Sequence, residues 1–161
     1  MYQNKTAVSR HSNTEVWEDE NNSQKSLHAI MYFKKGTIIS KFYAGVTQSY
    51  PTYLTVQIGV DTHITLQPEH LQYINHSCEP NVFFNTTSME LIAVKDLYPG
   101  DELRFFYPST EWDMSQQFVC NCKSEQCLKL INGASHLSKE SLNKYQLTNF
   151  IEAMRLKKPA L

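Results

Sequence analysis

Four cysteines constrain this chain more than any other feature: one at position 78, and three crowded into CNCKSEQC at 120–127. One residue separates Cys120 from Cys122, and four separate Cys122 from Cys127. Three thiolates so close in sequence can converge on one tetrahedral ion, but a closed structural zinc site takes four ligands. Cys78 is the remaining thiol of the 161 residues, so recruiting it would use every cysteine. Such a site staples the C-terminal segment back over NHSCEPN at 75–81. Other readings stay open on the residues alone. His76 and Cys78 could act as base and nucleophile, although no third orienting group stands near them in sequence. Two disulfides would need an oxidising compartment and a geometry that Cys120 and Cys122 serve poorly. Buried free thiols leave the clustering unexplained, so zinc is the favoured reading.

The rest of the chain reads as short strands. EVW (15–17), SLHAI (26–30), TIISKFYA (37–44), YLTVQIGV (53–60) and THITL (62–66) are rich in β-branched and aromatic residues. VFFN (82–85), ELIAV (90–94) and ELRFFY (102–107) continue the series, with KKG (34–36) and YPG (98–100) as turns. Small β-sheets in one domain follow, since no long helix alternates with the strands. Residues 1–14 read as a flexible N-terminal arm, and DENNSQKS (19–26) as a loop. One helix is expected near the C-terminus. Ser138 caps it, Leu147, Phe150, Ile151 and Met154 line its apolar face, Lys157 and Lys158 suit its last turn, and Pro159 stops it.

Charge and hydropathy narrow the partners. Fifteen basic residues against sixteen acidic give a net charge of −1, which offers no counterion-release drive toward nucleic acid. No apolar run is long enough to span a bilayer, and MYQNKTAVSRHSN carries no signal-peptide core. An intracellular protein is expected, cytoplasmic or nuclear if eukaryotic, with no membrane partner and a monomeric state.

Three motifs in order give the chain a family resemblance. YINHSCEPN, then AVKDLYPGDELRFFY, then CNCKSEQC resemble a SET-domain protein lysine methyltransferase with its post-SET zinc segment, over roughly residues 15–135. The resemblance implies a mainly β (α+β) SET-like fold of small sheets with a pseudoknot, a four-cysteine zinc segment and a C-terminal helix. It divides the chain into the arm, a catalytic domain at 15–110, the zinc segment at 111–135 and a helical extension at 136–161. S-adenosyl-L-methionine and one structural Zn2+ held by Cys78, Cys120, Cys122 and Cys127 are the implied cofactors. A lysine-containing protein or peptide is the implied substrate. Residue by residue, Tyr107 matches the catalytic tyrosine, and Phe105 the position that sets the number of methyl groups, phenylalanine going with di- or trimethylation. Tyr53 is a second channel aromatic. Asn75 and His76 contact the methyl donor, together with the main chain of Lys25, Ser26 and Leu27. Leu128 and Leu130 pack over its adenine. Trp112 is a further candidate for the channel wall, with packing beside the zinc segment as its plainer role.

The sequence departs from the family pattern at three places. KSLHA (25–29) stands where a glycine-rich stretch usually lies, Phe106 replaces an acidic residue, and Gln72 replaces an arginine. Two readings without turnover therefore remain beside the enzyme: a zinc-stapled SET-like pseudoenzyme, and a zinc-thiolate interaction module. The chemistry favours the enzyme. A lysine of pKa near 10.4 costs roughly 4–5 kcal/mol to present neutral at pH 7. An apolar aromatic channel beside a sulfonium lowers that cost through desolvation and like charge.

Overall fold

A computed structural model describes residues 4–157. Three three-stranded sheets and two two-stranded ladders surround a shared apolar core. In the first sheet, β1 (Lys5–Arg10), β2 (Thr14–Asp19) and β3 (Lys25–Ala29) run as consecutive antiparallel neighbours. The expected arm is thus corrected: residues 5–10 are an edge strand, with Lys5 opposite Asp19, Arg10 opposite Glu15 and a shift of register between Ala7 and Ser9. Its exposed, polar face hid it from a search for buried alternation.

TIISKFYA divides into β4 (Ile38–Lys41) and β5 (Tyr43–Gln48), which belong to different sheets. Phe42, between them, turns into the core and meets Phe84 edge-on with ring centroids 5.4 Å apart. β4 joins β9 (Val82–Asn85) and β10 (Glu90–Ala93); β5 joins β6 (Thr55–Gly59) and β7 (Thr62–Gln67). The KKG and YPG turns form as read. Thr37 N donates to Lys34 O and Asp101 N to Tyr98 O, with Gly36 at φ +88 and Gly100 at φ +95. A positive φ at the third position is what a type II turn demands of glycine, and Pro99 suits the second.

Two ladders carry the motifs. β8 (Asn75–His76) pairs in parallel with β11 (Arg104–Phe105), Asn75 opposite Arg104 and His76 opposite Phe105. Strand geometry ends there, because Tyr107–Ser109 forms a 3-10 turn around Pro108, which has no N–H for a ladder. The expected strand to residue 107 is corrected accordingly. β12 (Phe118–Val119) and β13 (Leu130–Ile131) frame the cysteine cluster.

The single C-terminal helix is also corrected. Ser138 caps a one-turn α1 (Lys139–Leu142) by accepting from Ser141 N at 3.1 Å. A new helix, α2 (Asn149–Lys157), starts after Thr148, whose hydroxyl accepts from Ile151 N and whose own N–H donates to Ser109 O. Leu147 is buried from the connecting loop, beside Leu142 and Ile151. Tyr145 in that loop stacks flat on Phe106, with ring centroids 3.6 Å apart, and its hydroxyl donates to Cys78 O at 3.0 Å. Helical periodicity is interrupted because Tyr145 gains more as an anchor than as an exposed helix residue. Lys158 and Pro159, like residues 1–3 of the N-terminal segment, lie outside the described residues. Among those described, no helix is long and apolar enough to cross a membrane.

Candidate active site and metal centre

The four cysteine sulfurs come together. All lie within 4.8 Å of one another, and Cys78 Sγ is 3.9 Å from Cys120 Sγ. Thiolates about 2.3 Å from a tetrahedral zinc stand about 3.8 Å apart, so the set fits that ion. Cys78 is held from two sides. Leu128 N donates to its sulfur at 3.4 Å, and His76 Nε2 lies 3.4 Å away. His76 Nδ1 accepts from Tyr107 N at 3.2 Å, so in the neutral ring the proton sits on Nε2, aimed at sulfur. Burial lowers the His76 pKa to about 4, in keeping with that neutral form. Burial also pushes the Cys78 and Cys120 thiols up. At Cys122 burial acts in the same direction, but hydrogen bonds from neighbouring groups, the Ser124 backbone first among them, outweigh it and bring the thiol down to about 6. A bound cation reverses the penalty on the buried pair.

Tyr107 stands between two cavities. On one side is a polar cavity of about 440 Å³, whose walls include Lys25, Ser26, Asn75 and His76. On the other is a largely apolar cavity of about 360 Å³ reached by Tyr53, Val56, Ile74 and Phe105. Tyr107 and Phe118 line both. The Phe105 and Tyr107 rings lie 4.7 Å apart, and Phe118 meets Tyr107 edge-on at 5.8 Å. The Tyr107 hydroxyl donates to Ile74 O over a long 3.5 Å. Burial, with the charges of Glu111 and Glu102 behind it, raises its pKa to about 12, so the phenol keeps its proton at neutral pH.

Asn75 Nδ2 donates to Lys25 O and to Glu102 Oε1, both at 3.1 Å, tying β3, β8 and the GDEL segment together. The other expected residues are placed unevenly. Tyr53 reaches the apolar cavity but is 88% exposed, so it stands at the rim. Leu27 is wholly buried in the core and Leu128 packs against the cysteines; neither lines the polar cavity. Trp112 packs with the C-terminal helices. Contributors that went unread in the sequence include Phe118, Lys5 and Glu111. Phe118 was legible as the aromatic two places before Cys120, but Lys5 needed the pairing of β1 to be seen.

Glu111 lines the apolar cavity although it is only 6% exposed. Its Oε1 accepts from Gln57 N at 2.9 Å and Thr110 Oγ1 at 3.1 Å. Burial outweighs those bonds and raises its pKa to about 7 from the ordinary 4.5. Between those two values the folded chain holds a proton the unfolded chain has lost, so this group's contribution to stability declines as pH rises. Glu111→Gln should remove that decline. The unfolding free energy of native minus variant, from denaturant titrations, should fall by about 3 kcal/mol between pH 4.5 and 7; a constant difference would show that burial does not tune this carboxyl.

The comparisons with known proteins agree with this geometry. Residues 2–108 match the SET domain. The chain belongs to the SET-domain family. Methyltransferase flvH of Aspergillus flavus is 38% identical over 129 residues, covering 79% of this chain and 72% of that protein. Human Histone-lysine N-methyltransferase 2B is 31% identical over 74 residues, 42% of this chain but 3% of its own. Histone-lysine N-methyltransferase set9 of Schizosaccharomyces pombe is 33% identical over 69 residues, covering 41% of the chain and 15% of that protein. The SET match includes the whole of β1. This SET-domain methyltransferase has the small sheets, clustered cysteines and C-terminal helix that its motifs implied.

Proposed function

We propose that this SET-domain methyltransferase uses S-adenosylmethionine to methylate the ε-amine of lysine in a protein or peptide, and that one zinc ion holds its C-terminal segment in place. The observation that carries the reading is the double role of Tyr107, a wall shared by a polar cavity and an apolar one. S-adenosylmethionine, held by Asn75, His76 and the β3 strand, supplies an electrophilic methyl on a sulfonium. Phe105, Ile74 and Val56 keep water from the amine, which favours its neutral, nucleophilic form. The protonated Tyr107 hydroxyl orients the amine lone pair, so rate comes from alignment rather than from acid–base exchange. The named histone-lysine methyltransferases among the relatives support a lysine substrate.

The test is methyl incorporation from labelled S-adenosylmethionine into lysine-containing protein extracts, with the modified residue located by mass spectrometry. Binding of the donor without incorporation would favour the pseudoenzyme. A zinc-loaded chain that binds no donor would favour the interaction module. Phe105 supplies a further expectation. Phe105→Tyr places a hydroxyl beside Tyr107, in the space a methylated amine needs to turn. Product should shift from di- or trimethyl-lysine toward monomethyl-lysine, read by intact mass; an unchanged distribution would detach Phe105 from product control.

A further inference from the structure

β3 carries a buried hydrogen-bond relay that the proposed methyl transfer does not use. His28 is 1% exposed; its Nδ1 lies 3.0 Å from Gly100 O and its Nε2 2.9 Å from Ser26 Oγ. A carbonyl cannot donate, so the Nδ1 proton goes to Gly100. In the neutral ring Nε2 then carries a lone pair, and Ser26 must donate its hydroxyl proton to it. A serine whose proton is committed in this way offers only acceptor lone pairs to anything else. The Trp17 ring lies 5.5 Å from the imidazole and the YPG turn supplies the carbonyl, so packing fixes the ring's orientation.

Ser26 is also a wall of the polar cavity, to which Asp19 brings negative and Lys5 positive charge beside a Glu102–Arg104 ion pair at 2.7 Å. Such a mixed lining suits a zwitterion. The main chain of β3 is meanwhile occupied: Lys25 O accepts from Asn75 Nδ2, and Leu27 O from Leu103 N at 2.8 Å. We propose that the Ser26 hydroxyl oxygen accepts a hydrogen bond from the α-ammonium of the methyl donor, with His28 as the positioning residue that keeps that hydroxyl an acceptor. This rests on the reading that the polar cavity holds S-adenosylmethionine. The ammonium is the group selected because it is the donor's cationic hydrogen-bond donor, and the Asp19 carboxylate on the same cavity wall favours it there.

Calorimetry of the full chain, purified with zinc, separates this from the functional reading. The two probes are S-adenosylhomocysteine and its analogue lacking the α-amino group. Ser26→Ala should weaken S-adenosylhomocysteine binding about tenfold or more, the scale of a hydrogen bond to a charged group, and leave the analogue's affinity unchanged. Ser26→Thr, which retains a hydroxyl, should restore binding to within about threefold of native. His28→Gln, whose amide oxygen can face Ser26, should keep the discrimination between probes, and His28→Leu should lose it. Equal weakening of both probes by Ser26→Ala, or of neither, overturns the proposal while native binding of S-adenosylhomocysteine leaves the functional reading standing. A native chain that binds neither probe overturns both.

Discussion

Tyr107→Phe is expected to lower methyl transfer by about two orders of magnitude, with the fold and the cysteine cluster unchanged. The ring would stay where it is. Phe105, His76 and Phe118 surround it with centroids 4.7, 5.1 and 5.8 Å away, and those contacts involve no oxygen. The hydroxyl's protein bond, to Ile74 O at 3.5 Å, is too long to contribute much to stability. What the variant loses is the oriented polar atom between the two cavities. The Tyr107 oxygen accepts an amine N–H and so aims the lone pair; losing that alignment costs on the order of 10² in rate, the scale of a misplacement of about 1 Å. The measurement is single-turnover methyl incorporation, alongside zinc content and melting temperature for native and variant. Because burial holds the phenol protonated, with a pKa of about 12, the native rate should show no step from this tyrosine below that pH. Activity within a few-fold of native would take Tyr107 out of the mechanism.

The motifs that converge here were legible because each is local. NHSC, GDEL to Tyr107 and the three clustered cysteines could be read as words, and pairing of Asn75 with Arg104 brings the first two together. What stayed illegible depended on distant partners. β1 is polar on its exposed face and looks like a tail until β2 is there to pair with it. The break between α1 and α2 depends on Tyr145 meeting Phe106, a residue far back in the chain beside Tyr107, and helical periodicity carries no trace of that meeting. Tyr53 shows the opposite failure. Its aromatic character suggested a channel wall, but the turn before β6 leaves it at the solvent-exposed rim. Glu111 illustrates why charge is a poor guide. An acidic residue reads as surface until Gln57 N and Thr110 Oγ1 are found to satisfy it inside.

The second large effect is expected at Cys78, because that residue joins the cysteine cluster to Tyr107. Its sulfur takes the Leu128 N–H and faces His76 Nε2, and the same imidazole accepts the Tyr107 N–H. Its carbonyl accepts from Tyr145, the anchor of the C-terminal helices. Cys78→Ser substitutes a weaker, shorter ligand at the buried corner of a four-sulfur set, and the metal-ligating thiolate form is favoured there only with a cation bound. Zinc per chain should fall from one to near zero after dialysis against a mild chelator. Amide exchange across β12 and β13, and more broadly across residues 111–135, should accelerate. Phe118 sits on β12 and lines both cavities, so donor binding and turnover should fall together. Chelation of the native chain should reproduce the same exchange pattern, and restoring zinc should reverse it for the native protein alone. If Cys78→Ser keeps a full equivalent of zinc, Cys78 is not the fourth ligand, and the link from metal to Tyr107 through His76 loses its anchor.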